Sequence, residues 1–186
     1  MEIPKIIFIL FITAYWLLVR IPLIMGKKRR QKPAEKEKLK IIGELPLFLS
    51  ILFYLLAICL IMPKSLEIWP FLIGMTLIVS GVLFNEWARK ILGKQWSGPA
   101  RIVKDHELIT KGPYSIVRHP MYFANMVMLL GCLLVVRSYV LLGLAALISG
   151  LLIYRARIEE QELNNKFDKE YLDYRKKVAL IIPFIY

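Results

Sequence analysis

Histidine and cysteine are scarce in this 186-residue chain, two of each, and the scarcity excludes several kinds of chemistry. Cys59 and Cys132 each lie inside an apolar block, so they read as packing residues, with neither a disulfide framework nor a metal–thiolate site expected. His106 and His119 do not stand at ligand spacing with each other or with acids, so no metal is expected. No GxGxxG stretch and no phosphate-binding loop occurs. No internal repeat or low-complexity tract is evident. Acids are also under-represented, 14 against 26 Lys and Arg, for a net charge of +12. Such an excess suits nucleic acid or a membrane. The basic residues fall between apolar blocks rather than interleaved with aromatics along a polar face, so no nucleic-acid partner is expected.

What the chain has in excess is apolar side chains, 58% of the total, where soluble domains are nearer half. A helix needs about 20 such residues to cross the roughly 30 Å hydrocarbon layer. Five segments approach this: Ile6 to Met25, Ile41 to Met62, Ile68 to Trp87, Pro120 to Val136 and Tyr139 to Tyr154. They predict an all-α integral membrane protein with five transmembrane helices, surrounded by membrane lipids. No basic cluster precedes the first segment, so it is expected to be a retained span rather than a cleaved signal.

Lys and Arg then set the orientation. Eight lie between Lys27 and Lys40, seven between Arg89 and Arg118, and seven from Arg155 onward. The other ends carry only Lys5, Lys64 and Arg137, with Arg20 near the inner end of the first span. Five spans with this alternation place the N-terminus outside and the C-terminus in the cytoplasm.

Only Arg137 and Ser138 separate the fourth and fifth segments, which predicts a helical hairpin. Gly131, Cys132, Gly143, Ala146, Ser149 and Gly150 dot these segments, and the four-residue step from Ala146 to Gly150 predicts a close helix approach there. About thirty residues between the third and fourth spans, punctuated by Gly93, Gly98, Pro99, Gly112 and Pro113, are too long for a mere connector and read as a lid or wall. Residues 101–110 within them fit two short strands about a turn. Beyond Tyr154, Leu163, Phe167, Tyr171, Tyr174 and Val178 form one apolar stripe at steps of three or four on a charged helix. The fifth helix is therefore expected to continue into the cytoplasm and pack its stripe on the lid. Pro183 ends regular structure. The chain divides into residues 1–92, with three spans and a basic loop, and residues 93–186, with the remaining hairpin and helix extension.

Two places put polar groups against apolar runs. Arg118, His119 and Pro120 open the fourth segment. Proline suits a first helical turn, whose unpaired N–H groups attract carboxylates; the bland reading is a helix start whose Arg and His reach for headgroups. Arg155 and Glu159, at i and i+4, share a helix face. Their bland reading is a surface ion pair, although Arg preceding Glu is the poorer order, and acids beside a membrane are functional by default. His106 alone reads as a loop residue, and Trp69, Trp87, Tyr114, Tyr122 and Tyr154 as interfacial aromatics.

Taken together, HELIT-KGPYSIVRHPMY (His106 to Tyr122), RARIEEQEL (Arg155 to Leu163), F-DKEYLDYRKKV (Phe167 to Val178) and IPF (Ile182 to Phe184) resemble the isoprenylcysteine carboxyl methyltransferase family and its relatives among membrane phospholipid methyltransferases. The resemblance covers roughly the C-terminal half. It departs at Asp168, where the family usually has Gly after Phe, a change that bears on a helix bend rather than on chemistry. The resemblance implies S-adenosyl-L-methionine as cofactor, with S-adenosyl-L-homocysteine as product, in a cytoplasmic pocket built from the loop after the third span, the fourth/fifth hairpin and the helix extension. It implies cofactor contacts from His106, Glu107, Leu108 and Ile109, from Tyr114, from His119, Pro120, Met121 and Tyr122, and from Glu159. Arg155 would face the acceptor, so Arg155 and Glu159 are the candidate catalytic pair. The acceptor is expected to be the carboxylate of a lipophilic molecule such as a prenylated cysteine, reached from the bilayer. Other readings are a phosphatidylethanolamine-type N-methyltransferase, a sterol-type membrane reductase using NADPH, and a non-catalytic scaffold.

Overall fold

Apolar segments that leave water must satisfy their backbone internally, and a helix does so within one segment. A computed structural model describes residues 3–15, 37–61, 67–93 and 108–185. Among them the chain forms α1 (Ile3–Ala14), α2 (Glu37–Ile61), α3 (Ile68–Leu92), a 3-10 turn (Gly112–Ser115), α4 (Pro120–Val136) and α5 (Tyr139–Lys177). No strand occurs among the described residues; one isolated parallel bridge joins Val117 to Ala179. Among the described residues two helices, α3 and α5, are long and apolar enough to cross a membrane, and α1, the Phe48–Ile61 part of α2 and α4 are shorter apolar helices. The basic stretch up to residue 36, and nearly all of the expected strand pair at 101–110, lie outside the described residues, while 108–110 carry no regular structure.

The closest helix contact joins α3 to α4. A Cβ built on Gly74 would stand 2.6 Å from the Gly131 carbonyl oxygen, and one on Gly131 would stand 2.6 Å from that of Gly74. One on Gly81 would meet Met128 at 2.6 Å. Glycine is therefore what lets these two backbones touch. The sequence had placed such an approach at Ala146 and Gly150 on α5. There the structure differs: Ala146 and Gly150 are exposed, and a Cβ on Gly143 or Gly150 would meet nothing within 4 Å.

The expected hairpin is present. Arg137 turns the chain in a left-handed conformation (φ 50) and its N–H closes α4 on the Leu133 carbonyl at 2.7 Å, while Ser138 caps α5. The buried faces of α4 and α5 then meet α1, α2 and α3 in one core that includes Phe8, Phe53, Ile78, Leu129, Ile148 and Leu152.

Beyond Tyr154, α5 continues as expected, with a break at Asp168 (φ 42, ψ −115). Its stripe forms a second core, in which Tyr171, Tyr174 and Val178 pack with Leu163, Phe167 and Leu108. Leu108 belongs to the loop before α4, so the stripe rests on that loop.

Candidate functional site

The apolar part of α5 ends at Tyr154, and α4 begins at Pro120; the polar residues between these two levels converge. Pro120 sits at the first helical position of α4 and His119 at its N-cap. A C-terminal strap, residues 178–181, fixes this end. The Arg118 N–H donates to the Ala179 carbonyl at 2.8 Å and the His119 N–H to the Leu180 carbonyl at 3.0 Å.

Arg118 is buried rather than reaching for headgroups. Its Nε and Nη2 donate to the two carboxylate oxygens of Glu160 at 2.8 and 2.9 Å. Its Nη1 donates to the Arg175 carbonyl at 3.0 Å and also to that of Val178. The Tyr171 hydroxyl donates to Glu160 Oε1, which also lies 3.3 Å from His119 Nε2. Glu160 thus ties α4, the strap and the second core together.

Glu159, one residue earlier, points to a different set. Tyr122 Oη donates to its Oε1 at 2.6 Å and Arg155 Nε at 3.0 Å, and its Oε2 lies 3.5 Å from His119 Nδ1. The His119 and Tyr122 rings stack 5.4 Å apart, 3° from parallel. The Arg155 guanidinium lies 5.8 Å from the Tyr122 ring centre. His119 is therefore held between two carboxylates, one at each ring nitrogen.

The electrostatics follow from this geometry. Burial pushes the Glu159 carboxyl up, but the His119 hydrogen bond and the charges of His119 and Arg155 outweigh it and hold the group at about 2. For Glu160, burial again raises the value, and hydrogen bonds from His119, Arg118 and Tyr171 bring it down to about 2. Burial alone favours neutral His119; its bonds to Glu159 and Glu160 win and raise its pKa above the ordinary 6.5.

The structure brings together His119, Pro120, Tyr122, Arg155 and Glu159 among the residues expected from the sequence. Met121 is half-buried beside them on α4, Ile109 is half-buried in the loop, and Leu108 sits in the second core rather than among the charges. Tyr114 is buried in the 3-10 turn, where its carbonyl accepts from Tyr174 Oη at 2.5 Å. His106 and Glu107 lie outside the described residues. The sequence marks Glu160 only as the second of two adjacent acids and Tyr171 only as a stripe residue, and it does not foresee the strap. The signal was present for Glu160: it precedes Leu163 by three residues and so extends the apolar stripe by one step, an acid on the packing face.

These residues fit a small molecule carrying both a cation and a carboxylate. Among the described residues Glu159 Oε2 makes the long contact to His119 noted above, and a carboxylate oxygen accepts two bonds, so an amine or hydroxyl can be taken there. Among the described residues the buried Tyr114 hydroxyl finds no hydrogen-bond partner, which leaves it able to meet a ligand. The stacked faces of His119 and Tyr122 border the same carboxylate. Among the described residues, no group of three or more His, Cys, Asp or Glu side chains is arranged to hold a metal ion.

Comparison with known proteins adds an independent observation. The family profile "Isoprenylcysteine carboxyl methyltransferase (ICMT) family" matches residues 72–165. Protein-S-isoprenylcysteine O-methyltransferase A of Arabidopsis thaliana is 28% identical over 144 residues, 76% of this chain and 73% of the relative. The B form from the same plant is 24% identical over 144 residues, with the same coverage of both chains. A solved eukaryotic intramembrane Ras methyltransferase, ICMT, superposes with a TM-score of 0.68 at 21% identity, over 98% of this chain and 68% of that one. That last likeness speaks to the fold.

Proposed function

Because the chain belongs to the isoprenylcysteine carboxyl methyltransferase family, we propose that it transfers a methyl group from S-adenosyl-L-methionine to the carboxylate of a lipophilic acceptor such as a prenylated cysteine. The observation that carries this reading is the convergence of His119, Tyr122 and Arg155 on Glu159 at the level where apolar helix gives way to polar. In this reading residues 93–186 hold the methyl donor and residues 1–92 face the acceptor. Five spans place the N-terminus outside, with the site and C-terminus in the cytoplasm.

When bound, the donor would supply an activated methyl group on a sulfonium, with S-adenosyl-L-homocysteine as the product. Glu159 would bind its amine or ribose hydroxyls, Tyr114, His119, Pro120, Met121 and Tyr122 would line its place, and contacts from His106 to Ile109 are what the family resemblance implies. The aromatic faces of Tyr114 and Tyr122 favour a cation. The α4 amino end, with His119 at its N-cap, would face the donor carboxylate. Arg155 offers the acceptor carboxylate a planar two-pronged donor.

An acceptor carboxylate is already ionised near neutral pH, so transfer needs orientation and removal of water rather than a base. The site chemistry favours that class of acceptor. An amine must first lose a proton, yet Glu159 and Glu160, held at about 2, are weak bases, and the bonds of His119 to both of them favour its protonated form. The deciding experiment incubates purified protein in bilayers with methyl-labelled donor and candidate acceptors. Label released by mild base marks an ester, the expected product. Base-stable label marks an amine acceptor and sinks the carboxylate reading. Binding of NADPH but not of the methyl donor points to a reductase, and binding of neither to a scaffold.

A further inference from the structure

The chain just after the strap is the least buried apolar segment at this end of the protein. The Ile185 N–H donates to the Ile182 carbonyl at 3.1 Å, closing a four-residue turn. Pro183 is its second residue, and Phe184, its third, has φ 67. This is the pattern of a type II turn, whose third position is the natural home of glycine. Here a bulky aromatic occupies it, at a backbone cost that glycine would not meet. The side chain gains no packing in return: Phe184 is 89% exposed, Ile185 62% and Ile182 49%. A strained backbone that presents three bare apolar side chains calls for an apolar medium outside the protein.

Two observations identify that medium. The first is depth. Leu180 is bonded to His119, the residue directly before the apolar helix α4. Ile182 follows two residues later, within about 7 Å of extended chain, so the turn lies where α4 enters the hydrocarbon layer. The second is charge. Arg175, Lys176 and Lys177 end α5 just ahead of the strap, and all three are exposed. Basic residues flanking an aromatic and aliphatic tip are the composition of segments that settle into the headgroup boundary of anionic membranes.

We propose that the turn at 182–185 inserts into an anionic lipid surface and thereby pins strap 178–181, and with it the amino end of α4, at the membrane boundary. Lipid contact then steadies Arg118 and His119 through the strap's two backbone hydrogen bonds. The inference goes beyond the assignment of the reaction and rests on it only where donor affinity is the readout.

The test uses the full chain carrying Phe184→Cys with Cys59→Ser, labelled with an environment-sensitive thiol probe; Cys132 is buried. In phosphatidylcholine vesicles containing phosphatidylserine, nitroxide lipids labelled near the headgroup are expected to quench the probe, and aqueous iodide to have little effect. Quenching by iodide overturns insertion. So does protection from both quenchers, which means the tip is covered by protein, as in a second copy. This arm reads out even if the chain binds no methyl donor, so its failure is separate from failure of the proposed reaction. The second arm uses Phe184→Gly, which relieves the turn and leaves thermal stability unchanged or higher. Donor affinity in the anionic vesicles is expected to fall several-fold, and to match the parent chain in uncharged detergent. An unchanged affinity in those vesicles overturns the pinning role.

Discussion

Arg118 and Glu160 form a two-pronged ion pair at 2.8 and 2.9 Å across 42 residues of sequence, with side chains only 6% and 9% exposed. A buried pair of this kind is costly to assemble, and removing one member strands the other charge, at about 3–5 kcal/mol. Arg118→Ala and Glu160→Ala are each expected to destabilise by that order, read as the unfolding midpoint in a fixed detergent. Arg118→Lys is not expected to restore stability. A point-charge ammonium cannot span both Glu160 oxygens and also reach the Arg175 and Val178 carbonyls, as the guanidinium fork does. A lysine variant as stable as the parent refutes this account of the fork.

The same network sets a pH window. Glu159 and Glu160 are depressed to about 2 from the ordinary 4.5. Their contribution is complete above 4.5 and is lost as pH falls toward their folded values. His119 is raised above 6.5, so its contribution is complete below 6.5 and is lost as pH rises through its folded pKa. Thermal midpoints are therefore expected to plateau between pH 4.5 and 6.5 and to decline on both sides. His119→Gln is expected to flatten the alkaline decline and leave the acid one in place. An alkaline decline unchanged in that variant assigns it to another group.

The α3–α4 contact predicts asymmetric effects among glycines. Adding a methyl group at Gly74 or Gly131 drives it against backbone, which cannot swing aside as a side-chain tip can. Gly74→Ala and Gly131→Ala are expected to cost about 1–3 kcal/mol each. Gly150→Ala meets open space and is expected to be close to neutral. Comparable losses at all three positions rule out close approach as the cause.

How far the sequence foretold this molecule depends on the range of the interaction. The α4 span and the start of α5 stand where hydropathy put them, because Pro120 and the Arg137–Ser138 break are local signals. The stripe from Leu163 to Val178 was legible for the same reason: one helix face repeats along the chain. The Arg155–Glu159 contact is an i, i+4 pair and equally local. By contrast, nothing near Arg118 announces Glu160, and nothing near His119 announces the Leu180 carbonyl. Those partners meet only when the end of α5 returns to the start of α4. Spacing within one helix points to Ala146 and Gly150 for the close approach, but such spacing does not say whether another helix lies opposite. The two adjacent acids look alike in sequence, yet about 100° of helix rotation separates their side chains. That turn sends Glu159 toward Tyr122 and Arg155, and Glu160 toward Arg118 and Tyr171.

Asp168 offers a test of local strain. Its φ of 42 with ψ −115 interrupts α5 in a region where a side chain is disfavoured and glycine is at ease. Asp168→Gly is expected to raise stability by about 1 kcal/mol, with the second core and donor affinity unchanged. A drop in stability shows that the aspartate side chain contributes more than its backbone costs.

Arg155 raises a sharper question, because its bond to Glu159 permits two roles. It can act only by holding Glu159, or it can itself meet the acceptor. Removing it leaves Glu159 with Tyr122 and His119, enough to keep the carboxylate ionised. Arg155→Ala is therefore expected to change donor affinity little and to cut turnover roughly 100-fold, the order that misplacing a reactant costs. Glu159→Gln is expected to do the reverse, weakening the donor as measured by calorimetry. The double variant separates the two roles. If Arg155 serves only Glu159, adding Arg155→Ala to Glu159→Gln costs nothing further at saturating donor. If it orients the acceptor, the additional loss of turnover persists in full, and acceptor KM rises with it.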